Sequence, residues 1–498
     1  MCNHLKQMSC WAALALALAC SPAPSGGGSG GSGTGGSGAG GRGGSGGSSA
    51  TGGSSGTTGS GGAGGSGSGN GMTGGSAGGA SGGSAGGTGG SNASGGSDGT
   101  GGSGGGAGGT GGKADGGSET GGGTGGSGGN MPPPVGMAEP PLPACKRTVD
   151  VANAAALGGA LTGAMPGDCL VLADGDYPAP MIAAKGTEAA PIVVRAANRL
   201  KANFNGVVRL TDAEYVILEG FTFPGASGTA IAGASHHCRV TRSRYFTGTA
   251  NVAGTAKDNR IDRCEFGPKG NDGNMAQPTA LSENTRIDRN YFHDVSGGGG
   301  NGRETIRLGC CGEMFDLHET GNIVEHNLLV NCSGEAEIIS VKASKNTIRY
   351  NTIRNSTGNL TLRAGKNNLV YGNFVFGTGN QGGLRIFDTG HKIWNNYVQT
   401  GSALIGNRSG PIHAAVGMAS IVHNTFLGSV TLTGSGNTFS DNITGGSVSV
   451  SGAMSQGNLT AEAAGLMRMG DLMAITATSK AVDAATGSYP FLMDDVQG

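Results

Sequence analysis

The chain has 498 residues, 106 of them glycine, and a formal net charge of −1. Fifty-seven of those glycines fall within residues 25–130, which contain no Phe, Trp, Tyr, Leu, Ile or Val and so cannot bury a core. That stretch lacks proline and any Gly-X-Y period, which excludes collagen, and residues 131–498 hold 29 basic against 30 acidic side chains, which argues against nucleic acid as a partner.

In chain order, Lys6 precedes a short apolar run at residues 11–19, the pattern of an export signal over residues 1–20. The run Leu16-Ala17-Leu18-Ala19-Cys20 resembles a bacterial lipobox with Ala17 in place of its usual leucine. The expectation is an exported protein, either anchored by lipid at Cys20 to a bacterial membrane, at the cell surface, or secreted. Residues 21–139 then read as a flexible Gly/Ser-rich tether, and residues 140–498 as one folded domain, expected to be a monomer. At its start, residues 150–163 suit an amphipathic capping helix closed by the Pro-Gly-Asp turn at 166–168.

The domain contains seven cysteines, Cys145, Cys169, Cys238, Cys264, Cys310, Cys311 and Cys332, with no CxxC pair to suggest zinc. Seven is odd, so one must stay free or pair externally; Cys145–Cys169 and Cys238–Cys264 are the candidate bridges.

A short pattern, apolar-x-x-Asn-x-apolar, recurs from residue 287 to 444, with degenerate copies upstream. The equivalent positions are 220, 243, 264, 290, 327, 351, 373, 396, 424 and 442, spaced 18–28 residues apart except for one interval of 37. The copies are short, β-branched and aromatic, which excludes helical repeats. One Asn per turn of about 23 residues predicts a parallel β-helix: an all-β solenoid whose coils stack into a shared core and whose asparagines form a hydrogen-bonded ladder. The long interval places a projecting loop within residues 296–321, where binding chemistry is expected.

Beyond the loop, Glu335 and Glu337 lie two apart, so a strand puts both carboxylates on one face. Such a pair suits either Ca²⁺ between them or a solvated acidic edge. Strict alternation puts Lys342 on the opposite face from Glu335, so convergence requires a corner between them. Lys342, Arg363 and Arg385 precede their ladder asparagines by 9, 10 and 11 residues, which predicts a basic column on three successive coils, facing either a polyanion or a metal-bound carboxylate, or else three solvated bases on one sheet face.

The motifs PGDCLVLADGDY (166–177), NGRETIRLG (301–309), GEAEIISVK (334–342), GNLTLRAGKNNLVYGNFV (358–375) and GGLRIFDTGHKIWNNY (382–397) closely resemble polysaccharide lyase family 6. That family includes alginate lyases and chondroitinase B-type dermatan sulfate lyases. The resemblance implies a right-handed parallel β-helix that cleaves an anionic polysaccharide, alginate or a related uronan, by Ca²⁺-assisted β-elimination. It assigns Asn301, Glu335 and Glu337 as calcium ligands, Lys342 as base and Arg363 as the catalytic arginine. Arg307, Arg385 and His391 are the candidate substrate contacts. Many members read Arg-His-Gly where this chain has Arg363-Ala364-Gly365, a departure beside the catalytic arginine. Rival readings are a pectate lyase or C5-epimerase on the same fold, and a non-catalytic glycan-binding adhesin.

Overall fold

The computed structural model describes residues 141–492 except 271–272, 280, 298–300, 310–317, 378–381, 408 and 410–412. The export signal, the Cys20 anchor, the tether, Cys310 and Cys311 lie outside the described residues. What is described is a parallel β-helix. One ladder of 13 strands runs along the solenoid, and the 24 strands of the other sheet form two further ladders, two strands to a coil. Every ladder pairing is parallel; among the described strands, Met467–Met469 and Leu472–Ala474 alone pair antiparallel. Each coil thus presents three faces.

The recurring Asn is the corner piece. Asn290, Asn327, Asn351, Asn373, Asn396 and Asn424 are each 2% exposed or less, and each side-chain amide donates to the side-chain oxygen of the next at 2.9–3.1 Å, ending at Asn442. That oxygen also accepts the preceding Asn's backbone N–H, as Asn351 Oδ1 does from Asn327 at 3.1 Å. Asn458 adds a coil that the repeat pattern did not predict. Just before each Asn the backbone turns through the left-handed region: φ is 54° at His326, 55° at Tyr350 and 63° at Gly372. Only glycine adopts this freely, so His326 and Tyr350 are held there by the ladder.

A second ladder, five residues upstream, closes another corner. Asn322, Asn346 and Asn368 pass backbone N–H to side-chain oxygen at 2.8–3.0 Å. Its next rung is His391, whose Nδ1 accepts from the Asn368 N–H at 3.2 Å.

The core follows from the register. Phe223, Tyr245, Phe266 and Phe292 stack ring on ring at 4.5–4.7 Å, and Leu329, Ile353 and Val375 continue the column. Each fully buried ring contributes about 1.5–3 kcal/mol. The N-terminal end is covered by the helix Ala154–Thr162, capped by Asn153, whose side chain accepts from the N–H groups of Ala155 and Ala156. The helix is shorter than expected, because Asp150 and Val151 belong to the strand Arg147–Val151, which pairs with Asp168–Leu172. The alternating, β-branched Thr-Val-Asp-Val prefers the strand.

The Cys145–Cys169 bridge is present. Cys238–Cys264 is not: both are free and buried. Cys264 sits at the first corner, its N–H donating to Asn290, while Cys238 sits at the second, donating to Asn259. The strand Arg239–Thr241 separates the two positions.

On one outer face, arginines of one coil grip carboxylates of a neighbouring coil. Arg239 Nε lies 2.6 Å from Asp262, Arg260 2.7 Å from Asp288 and Arg349 Nε 2.6 Å from Glu325. Asp262 is fully buried. Burial raises its pKa, but the Arg239 hydrogen bond and the charges of Arg239 and Arg260 outweigh that and hold it below the usual value.

Two outcomes follow from the corners and the ion pairs. Asn351→Ala strands the Asn327 N–H and the Val324 carbonyl in the core and should destabilise by about 2–4 kcal/mol. Asn458→Ala, at the half-buried end of the ladder, should cost clearly less; equal denaturation midpoints for the two variants would refute the ladder as the main corner constraint. For Asp262, a folded pKa below the unfolded value of about 3.9 means its stabilisation is present above that value and lost as pH falls through the folded one. Asp262→Asn should therefore cost about 3 kcal/mol at neutral pH, with the gap from wild type closing in strong acid. Thermal melts across that range check this, and a gap independent of pH would contradict it.

Candidate active site

The strands Ile306–Leu308, Glu337–Lys342, Asn359–Ala364, Leu384–Ile386 and Ser402–Gly406 stack on successive coils and carry the site. Leu308, Val341, Leu362 and Ile386 point into the core, so the intervening polar residues face outward.

Glu337 and Lys342 are an odd number of residues apart, so unbroken alternation would send them to opposite faces. The register slips between Glu337 and Ile339, making Ile338 an extra residue that enters the core beside Ile339. A β-bulge, not a corner, brings Glu337, Ser340 and Lys342 to one face. The register slips again opposite Lys342, and there the extra residue is Arg363.

Three carboxylates converge. Ligand oxygens of Glu304, Glu335 and Glu337 lie within 4.8 Å of one another. Glu304 was not anticipated; it lies within the quoted 301–309 motif, and its chemistry was legible only as an acid surrounded by bases. It is 1% exposed, with Oε1 accepting from Lys342 Nζ at 2.6 Å and Oε2 from the Asn274 side chain at 2.8 Å. Arg307 stands 4.0 Å from it. Burial raises its pKa, but the charge and hydrogen bond of Lys342 prevail, and it stays below the ordinary value.

Glu335 behaves oppositely. Burial raises its pKa, and the charges of Glu304 and Glu337 add to this against hydrogen bonds from the Arg303 and Gly302 amides at 2.8 and 2.7 Å. The net shift is upward. Its negative charge is under-compensated, which is the condition that a cation relieves. Three carboxylates this close fit a hard, oxygen-liganded ion. Asn301 is exposed on the turn whose next two amides hold Glu335, one residue before them and outside the set of converging carboxylates.

Glu337 is the hub for the bases. It is 2% exposed; Oε2 accepts from the Ser340 hydroxyl, while Oε1 accepts from Arg363 at 3.0 Å and also from Arg385. Lys342, Arg363 and Arg385 therefore gather about two carboxylates and do not form the expected single column. The register instead aligns Arg307, Ser340, Thr361 and Arg385, so two uncharged residues separate the arginines in that column.

His391 does not join them. It is 0% exposed, and besides its rung in the second ladder its Nε2 hydrogen-bonds the Phe387 carbonyl at 2.7 Å. The sequence placed it next to a corner, and the corner absorbed it.

Comparison with known proteins places the fold. The chondroitinase B family profile matches residues 151–468. Among solved structures, the chain is similar to a mannuronic acid-specific family 6 polysaccharide lyase from human gut microbiota, at 27% identity and a TM-score of 0.53, covering 61% of this chain and 83% of that one. It is also similar to the family 6 alginate lyase AlyGC, at 24% and 0.53, covering 70% of this chain and 60% of that one. A family 6 alginate lyase in complex with a trisaccharide shares the fold at 19% identity and a TM-score of 0.50, covering 63% of this chain and 85% of that one. No curated protein matches. Because the profile spans most of the stacked coils, the chain belongs to the chondroitinase B-type polysaccharide lyases of family 6.

Proposed function

We propose that this lyase cleaves a 4-linked uronate polymer, with alginate as its substrate, by Ca²⁺-assisted β-elimination, and that it acts outside the cell after export. The observation that carries the reading is the meeting of Glu304, Glu335 and Glu337 with Lys342 and Arg363 on one outer face. Alginate is supported by the substrates named for the similar solved lyases; dermatan sulfate is the alternative that the family profile's description suggests.

Glu335, Glu337 and Glu304 would hold the ion, with Asn301 as a neighbouring ligand on the same turn. Ca²⁺ bound there would neutralise the substrate carboxylate and so acidify the C5–H bond beside it. The protein's own groups do the rest. Lys342, in its neutral form, takes the C5 proton through Nζ. The electron pair forms the C4–C5 double bond, the C4–O bond breaks, and the departing oxygen acquires a proton from solvent. Arg363 remains protonated throughout, stabilising charge on the reacting sugar. The Glu337 carboxylate orients both Arg363 and Arg385, so the guanidiniums face the substrate from a fixed anchor. Arg385 and Arg307 would bind flanking uronate carboxylates.

Ultraviolet absorbance of the unsaturated product on alginate, polymannuronate, polyguluronate, dermatan sulfate and pectate, with and without EDTA, tests the reading. Turnover without an unsaturated product would indicate an epimerase instead. Glu335→Gln should lose most turnover and weaken Ca²⁺ binding while keeping the β-sheet circular dichroism of the wild type; full activity in chelator would remove the metal from the scheme. Lys342→Ala should lower kcat by about 10²–10⁴-fold with oligosaccharide affinity largely kept, because it removes the base and leaves the arginine grip. Arg363→Ala should lose both rate and affinity. A near-native rate for Lys342→Ala would eliminate this mechanism.

A further inference from the structure

One imidazole at this site has no part in the scheme above. His413 comes from the coil beyond Arg385, and its ring stacks on Phe387 with centroids 4.4 Å apart and planes 21° apart. Phe387 is itself 3% exposed and carries the Arg385 guanidinium 5.8 Å from its ring centre. The imidazole is therefore held against a rigid platform beside two guanidiniums.

Its two nitrogens differ in circumstance. The Arg363 main-chain carbonyl lies beside the ring and favours an N–H on the nitrogen turned toward it. Nδ1 is buried and has no hydrogen-bond partner among the described residues. Burial pushes the ring's pKa down, and the positive charges of Arg363 and Arg385 push it further than Glu337 restores it. The ring is neutral at physiological pH, and with its N–H favoured on the side of the carbonyl the other nitrogen is an acceptor. Guanidiniums can only donate. The Arg385 and Arg307 Nε atoms are likewise buried without partners, and both are donors. The outer face thus offers unused guanidinium N–H groups, the His413 acceptor and the Thr361 hydroxyl, which is also buried without a partner among the described residues.

A uronate is complementary to that set, because its carboxylate accepts and its ring hydroxyls donate. We propose that His413 is a substrate-binding residue whose Nδ1 accepts a hydrogen bond from a ring hydroxyl of the flanking uronate held by Arg385. The inference rests on the uronan-lyase reading and extends it from recognition of charge to recognition of a hydroxyl. A site built to pair a hydroxyl discriminates against sugars that cannot offer it there, since the buried acceptor is then left unpaired.

His413→Phe keeps an aromatic ring on Phe387 and removes the acceptor. His413→Asn restores an oxygen near the Nδ1 position. Steady-state kinetics on the preferred uronan, and calorimetric binding of mannuronate and guluronate trisaccharides to the Lys342→Ala background, read the effect. For His413→Phe, KM should rise and trisaccharide affinity fall by about 3- to 10-fold, with a smaller loss in kcat. His413→Asn should recover at least half of the lost affinity. His413→Phe with native affinity, or His413→Asn as weak as His413→Phe, would overturn the inference and leave the lyase reading standing. A wild-type protein that neither cleaves nor binds any uronan would overturn both.

Discussion

The constraint on which the rest depends is the closing of each corner by a buried side chain that satisfies the backbone of its neighbour. A β-helix turn leaves main-chain N–H and carbonyl groups inside the protein, where water cannot reach them. The amide of Asn351 answers for the Asn327 N–H, the Val324 carbonyl and the next Asn at once. With corners fixed to within a hydrogen bond, coils repeat in register, and residues far apart in sequence meet at predictable rungs. Arg307 and Arg385 come to share a column only for that reason.

Against this regular background the site is made by irregularity. Two extra residues, Ile338 and Arg363, interrupt the pairing of neighbouring strands, one on each. The first reverses which face Glu337 occupies relative to Lys342, and the second displaces Arg363 toward Glu337. Each bulge gives up ladder pairing locally to aim a charged side chain. The charge balance is correspondingly close: Lys342 occupies Glu304, two arginines occupy Glu337, and Glu335 is answered mainly by backbone amides.

The sequence made the solenoid plain, because the corner asparagine and its apolar neighbours recur too regularly for any other fold. It also marked Glu335, Glu337, Lys342, Arg363, Arg385 and Arg307, all of which the fold carries to one region. What it hid were relations across coils. A bulge is defined by a partner strand, so neither the convergence of Glu337 with Lys342 nor the separation of Arg363 from the Arg385 column could be read from spacing. Glu304 was hidden by its place among bases, and His391 by a second ladder in which a histidine substitutes for asparagine. Cys238 and Cys264 were close enough in sequence to suggest a bridge but belong to different corners.

Those thiols bear on how the domain acquires its single described bridge. Burial raises the pKa of Cys238 to about 11, of Cys332 to about 12, and that of Cys264 well above its ordinary value. Disulfide exchange proceeds through the thiolate, so once the coils have stacked these three sulfurs are neither ionised nor reachable by an oxidant. In an oxidising compartment their chance to mispair ends when the core closes over them. Among the described cysteines, Cys145 and Cys169, bridging the first two stacked strands at the end of the solenoid, are thereby the pair left joined. Coil stacking acts as redox protection, sequestering these three thiols without any reducing partner.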